Sequence, residues 1–327
     1  MFGGIQAIVQ QRQSDYVQSI LRLETRIEWH NLSYNPSITW EIIQQNPDKP
    51  WNWRGISQNP NISWEIIQQN LDKPWDWQSI SYNPNITWEN ITREKPNTPW
   101  EWRGISQNPN ISWEIIQKYP SKPWNWYSIS YNPNITWENI QQNPNKPWNW
   151  CSIYRNPNIT WEILQQNLDQ PWDWNNMSYN PNITWGNIEK NLDKPWDWQY
   201  LSQNSNITWE IIQQNLDKPW SWFCISYNPN ITWEIIQQNP DEAWNWCGIS
   251  KNPNITWEII QQNLDKTWNW FYISMNKDLF KLPQAKLLEC IRQYTAAKLI
   301  ARYWKVCNSN PEYVVCKKRL LYEFKSL

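Results

Sequence analysis

The sequence predicts an all-α chain: an α-solenoid of ten 24-residue repeats, each of two short helices, with helical N- and C-terminal caps. Three observations predict it. A W-x-W pair recurs at Trp51, Trp75, Trp100, Trp124, Trp148, Trp172, Trp196, Trp220, Trp244 and Trp268, 24 residues apart except for one step of 25. A lone Trp preceded by Ser or Thr recurs on the same period from Trp40 to Trp257. Three residues after that Trp the copies carry Ile, or Leu164 once, whereas two residues after it Asn90, Asn139 and Asn187 are accepted. Alternation along a strand would bury the second position and expose the third. A 3.6-residue period does the reverse, so these segments read as helix.

The N-terminal segment, 5 to 23, reads as a helix. With a half-copy in which Trp29, Leu32 and Ser33 match Trp53, Ile56 and Ser57, it forms a cap over 1–34. The repeats then run through 35–276. In the lone-Trp half, Ser or Thr before the Trp is an N-cap, and the Glu after it suits the positive end of the helix dipole. Its apolar face is expected to run through Trp64, Ile67 and Leu71. In the other half, Asp48, Asp72, Asn97, Ser121 and their equivalents are the expected N-caps, with Pro two residues later in most copies. Each helix should have about two turns and stop at Asn-Pro or Asn-Leu, the Asn taking the left-handed conformation. Helices this short are not stable alone. Stacked neighbours must supply the remaining burial, with the indole rings as the interior. The tail, 277–327, carries 11 basic and 4 acidic residues, a net +7. It reads as one helix from near Pro283, whose face of Leu287, Ile291, Tyr294, Leu299 and Tyr303 docks on the final repeat, and a second from Pro311.

Composition narrows the function. Lys plus Arg number 29 against 30 Asp plus Glu, so the repeat region is not expected to bind nucleic acid. With one His, at position 30, imidazole metal sites and His-dependent catalytic pairs are disfavoured. The six Cys form no CxxC and read as free thiols in a reducing compartment. No signal peptide is evident at the N-terminus, and no run of about 18 apolar residues crosses a membrane. Carboxylates recur one per helix start instead of converging, so no catalytic, cofactor-binding or metal-binding residues are expected. Asn-Ile-Ser/Thr matches a glycosylation sequon in most copies, but its hydroxyl already has a capping role. Ala296 to Lys305 is similar to a degenerate IQ motif, with Ala301 and Val306 departing from it. The basic tail, including Lys317-Lys318-Arg319, is available to acidic surfaces, although a solvated helix face explains it more simply.

One further pattern stands out. Five residues after the second Trp of each pair, Tyr82, Tyr131, Tyr179 and Tyr227 alternate with Gln58, Gln107, Arg155, Gln203 and Lys251. Both a contact surface and a trace of growth by two-copy duplication account for it. On the first reading, Tyr82, Tyr131, Tyr179 and Tyr227, with Arg54 and Arg103 at the variable position after the paired Trp, are the candidate partner surface.

Ten copies of W-x-W-x-x-I-S-x-N-P-N-I-T-W-E-x-I resemble the tandem Trp-rich repeat proteins encoded by giant DNA viruses of the mimivirus kind. The tail segment ARYWKVCNSNPEYVVCKKRLLYEFKSL is similar to the C-terminal signature of many such proteins. The resemblance implies a viral protein of the infected-cell cytoplasm or the virion. It carries no established activity, cofactor or functional residue. The expected function is a non-enzymatic scaffold presenting an extended surface to a protein partner; the alternative is a virion component that packs through its repeats.

Overall fold

The computed structural model describes residues 2–23, 26–93, 98–282 and 284–309. Every regular element among them is helical. The chain divides into two compact units: Met1–Arg22 with Lys281–Leu327, and Leu23–Phe280. The first contains the helices Phe2–Leu23 and Gln284–Ser309. There the Leu282 amide donates to Gln13 Oε1 at 2.7 Å, and the Lys286 ammonium lies 4.9 Å from the Tyr16 ring centroid. The expected tail helix from Pro311, with Lys317 to Arg319, lies outside the described residues.

The second unit alternates two kinds of short helix. The lone-Trp helices, such as Trp40–Gln45 and Trp64–Gln69, begin at the Trp, as the cap pattern predicts. Ser63 Oγ accepts from the Ile66 amide at 3.3 Å. Ile67, three residues after the Trp, is fully buried, while Ile66 is half-exposed. The helix then stops differently from the expectation. Among the described residues no non-glycine residue has a positive φ. Instead, Asn70 Nδ2 donates to the Ile66 carbonyl at 2.8 Å, replacing the amide that another helical turn would have supplied. The helix ends at Gln69, so Leu71 falls beyond the apolar face and is 65% exposed rather than part of the core.

The other helices begin four residues later than the sequence implies, at the second Trp of each pair, as in Trp53–Ser57 and Trp77–Ile80. Their N-cap is the residue between the two Trp. Asp76 Oδ1 accepts from the Ser79 amide at 2.7 Å, and Asn125 Oδ1 from the Ser128 amide at 2.9 Å. Asp72 lies instead in a turn, where the Lys73 amide donates to the Asn70 carbonyl at 3.1 Å. The following Pro biases the residue before it away from helical backbone. The first indole pins this connector: Trp75 Nε1 donates to the Asn70 carbonyl at 2.7 Å. The helices of the repeats have four to six residues, nearer one turn than two.

Neighbouring copies are joined by side chains aimed at backbone. Ser57 Oγ accepts from the Asp76 amide of the next copy at 2.9 Å. Asn83, fully buried, donates to the carbonyls of Ser57, Asn59 and Ile62 at 3.0 to 3.1 Å, while its Oδ1 accepts from the Asn85 amide at 2.9 Å. The innermost side chains are Ile56, Ile62, Ile80, Ile86 and their equivalents. The indoles surround them in triads that span consecutive copies: Trp64 meets Trp77 edge-on at 6.3 Å, and Trp100 contacts both, at 6.2 and 5.6 Å. Among the described Trp side chains none is exposed.

The same contacts join the ends of the array. The Glu28 amide donates to Ser274 Oγ at 2.8 Å, as Asp76 does to Ser57. Asn35 Nδ2 donates to the carbonyls of Ser274 and Asn276 at 3.2 and 2.9 Å, and Ser37 Oγ to Lys277 O at 3.0 Å. The Arg26 guanidinium lies 4.0 Å from the Trp270 ring centroid. The half-copy helix Trp29–Leu32 therefore follows Trp270–Met275 as the next member of the series. The solenoid closes on itself, with eleven paired-Trp helices in the ring. One step departs from the rule: Tyr154 replaces the joining Ser, and its hydroxyl donates to the Pro171 carbonyl.

Candidate functional site

The candidate residues occupy two positions of the paired-Trp helix, one and five residues after its Trp, which share a face because they are four apart. Tyr82, Tyr131, Tyr179 and Tyr227 are half-buried there, and Arg54 and Arg103 are exposed. Arg54, Tyr82 and Arg103 line one cavity, and Tyr131, Tyr179 and Tyr227 hold the position equivalent to Tyr82 farther along the array. That face is concave. Phe223 and Tyr272, two copies apart, come within 6.4 Å across an intervening helix. Convergence over two steps requires the side chains to point toward the inside of the curve.

Tyr34 and Tyr82 each lean on the next helix, where a Gly makes room, whereas Tyr179 packs against the ring of Tyr200. A Cβ on Gly104 would stand 2.8 Å from Tyr82 Cδ2, and one on Gly55 3.0 Å from Tyr34 Cδ2. The Tyr alternation also has a bonding role. The Tyr227 hydroxyl donates to Gln203 Oε1 at 2.5 Å, and Tyr131 donates likewise to Gln107. Where the partner is basic, the ring receives the cation: Arg155 lies 4.0 Å from the Tyr179 centroid and Lys251 4.5 Å from that of Tyr227. Burial raises the Tyr131 and Tyr227 phenols above their ordinary range and pushes Tyr154 up to about 12. All three phenols therefore stay protonated at neutral pH and act as hydrogen-bond donors.

The face deepens into a cavity of about 630 Å³ between four successive paired-Trp helices. It is lined by Tyr34, Arg54, Gln58, Gln78, Ser79, Tyr82, Glu101 and Arg103. Glu101 is engaged there as a cap, its Oε1 accepting from the Arg103 amide at 3.1 Å.

The remaining titratable groups have local duties. Glu65 and Glu114, beside the helix caps, are held below the usual carboxylate range, chiefly by the hydroxyls of Ser63 and Ser112. In Glu162, Glu210 and Glu234 the residue's own amide contributes most. His30 lies 2.9 Å from Asn52 Nδ2. Among the described residues no group of three or more His, Cys, Asp or Glu gathers as a metal site, and no helix is long and apolar enough to cross a membrane. The sequon Asn side chains are committed: Asn85 Nδ2 donates to Pro60 O at 2.6 Å and Ile62 O at 3.1 Å. Cys151, Cys224 and Cys247 are free thiols.

Sequence reasoning missed the buried Asn ladder. Its signal was available, since the Asn of N-P-N is present at Asn35 and in every copy from Asn59 to Asn276 even where Ser205 or Lys277 replaces the Pro. Comparisons with protein-family models, curated proteins and solved structures find no match.

Proposed function

We propose that the chain is a non-enzymatic scaffold that holds a protein partner on the concave Tyr, Gln and Arg face. One observation carries this reading: the position after the second Trp changes from copy to copy (Arg54, Gln78, Arg103, Tyr127, Cys151), and three of these side chains, Arg54, Gln78 and Arg103, line one cavity. A structural lattice needs only the fixed positions; a binding surface needs variable ones between rigid aromatic anchors. The test is affinity capture with the whole chain and with a Tyr82→Ala/Tyr131→Ala variant. A partner retained by the parent and lost by the variant supports the reading, and equal recovery by both overturns it.

A second reading draws on the connectors that follow the lone-Trp helices. Leu168, Leu192 and Leu216 of three consecutive copies are 71%, 44% and 54% exposed. Rings packing through such residues would form part of a larger particle, as the viral resemblance implies. Quantitative proteomics of purified particles separates this role from partner binding.

A further inference from the structure

The cavity between the first four paired-Trp helices differs from the rest of the concave face in its charge. Arg54 and Arg103, two copies apart in the sequence, both line it, and neither forms an ion pair among the described residues. Arg103 additionally rests 5.4 Å from the Tyr127 ring centroid, which orients it without neutralising it. Glu101, the one carboxylate in the lining, is turned to a backbone amide. The rest of the lining includes Tyr34, Tyr82, Ser79 and the primary amides of Gln58 and Gln78. Each primary amide offers a donor and an acceptor, the pair that a peptide bond requires. The volume, about 630 Å³, is within the range of clefts that enclose ligands.

We propose that this cavity seats a carboxylate-bearing stretch of an extended acidic peptide, with Arg54 and Arg103 as the anion-binding residues and Gln58 and Gln78 reading the peptide backbone. The inference rests on the concave face being a partner surface and names the chemistry of that partner. Guanidinium favours carboxylate through paired, charge-assisted hydrogen bonds. A polymer is favoured over a small free anion because the Tyr and Gln rows continue past the cavity along the ring.

The test is fluorescence anisotropy with the full chain and three fluorescein-labelled peptides of equal length, alternating Gly with Glu, Gln or Lys. The Glu peptide is expected to bind best, to weaken with added salt, and to lose about tenfold or more in affinity in an Arg54→Gln/Arg103→Gln variant. Lys266→Gln, in a connector that the proposal gives no part in binding, should leave binding unchanged. Both cavity Arg are exposed, so an unaltered near-ultraviolet circular dichroism spectrum is expected to show the fold intact. Equal binding of the Glu and Gln peptides, or no loss in the double variant, overturns the acidic specificity; the Tyr82→Ala/Tyr131→Ala capture still decides the broader reading. Failure of the Glu peptide to bind, or its displacement by pyrophosphate as readily as by unlabelled peptide, overturns the inference as well.

Discussion

At the scale of single residues, the most demanding position in each copy is the buried Asn that follows the paired-Trp helix. Asn132 has no solvent exposure, donates to Ser106 O at 2.9 Å, Asn108 O at 3.1 Å and Ile111 O at 3.5 Å, and accepts from the Asn134 amide. Asn132→Ala is expected to cost about 2–3 kcal/mol in urea denaturation, because buried carbonyls and an amide lose their partners at once. Asp cannot substitute, since a carboxylate lacks the donors. This role was hard to read in advance. Asn-Pro is a common way to end a helix, and that local explanation left nothing over to suggest a bond reaching 24 residues back. The Trp positions were legible for the opposite reason: fixed large aromatics between variable polar residues have few roles other than packing. The Arg and Tyr positions were singled out by their variation, but it takes the folded chain to bring Arg54, Tyr82 and Arg103 around one hollow.

At the scale of the helix, capping and close approach make opposite demands on glycine. Gly248 lies where a Cβ would stand 2.5 Å from the Phe223 carbonyl oxygen, so Gly248→Ala requires backbone movement and should destabilise the chain by about 1–3 kcal/mol. Gly186 sits inside a helix with nothing nearer than 4.0 Å to its added Cβ, so Gly186→Ala should stabilise by about 0.5–1 kcal/mol. Thermal melts of the two variants should move in opposite directions. The caps also set a pH response. Glu65, Glu114, Glu162, Glu210 and Glu234 have folded-state values below the usual 4.5. Their contribution is complete above the unfolded value and is lost as pH falls through the lower folded one. The melting temperature should therefore hold near neutrality and decline below about pH 4.5. Ser63→Ala and Ser112→Ala should flatten part of that decline. These caps were visible in the sequence as Ser/Thr-Trp-Glu. The starts of the paired-Trp helices were not, because Asp72 and Asp76 are equally good cap formers. Only the extended path through Pro74 selects the second.

At the scale of the whole array, closure changes how damage is distributed. In an open solenoid the terminal unit has one neighbour and frays, so a mutation there is nearly silent. Here Asn35 makes to Ser274 and Asn276 the bonds that Asn132 makes to Ser106 and Asn108. Asn35→Ala should therefore cost within about 1 kcal/mol of Asn132→Ala, and the Glu28 amide should exchange hydrogen as slowly as that of Asn125. Closure was invisible in the sequence because no residue encodes it. It accumulates from a small rotation at each step, about 33° if eleven equal steps complete a turn. Unequal recombination adds or deletes whole modules, and an open rod would simply lengthen. A circle whose last member must meet its first tolerates only the number of modules that its pitch allows, so this protein counts its own copies.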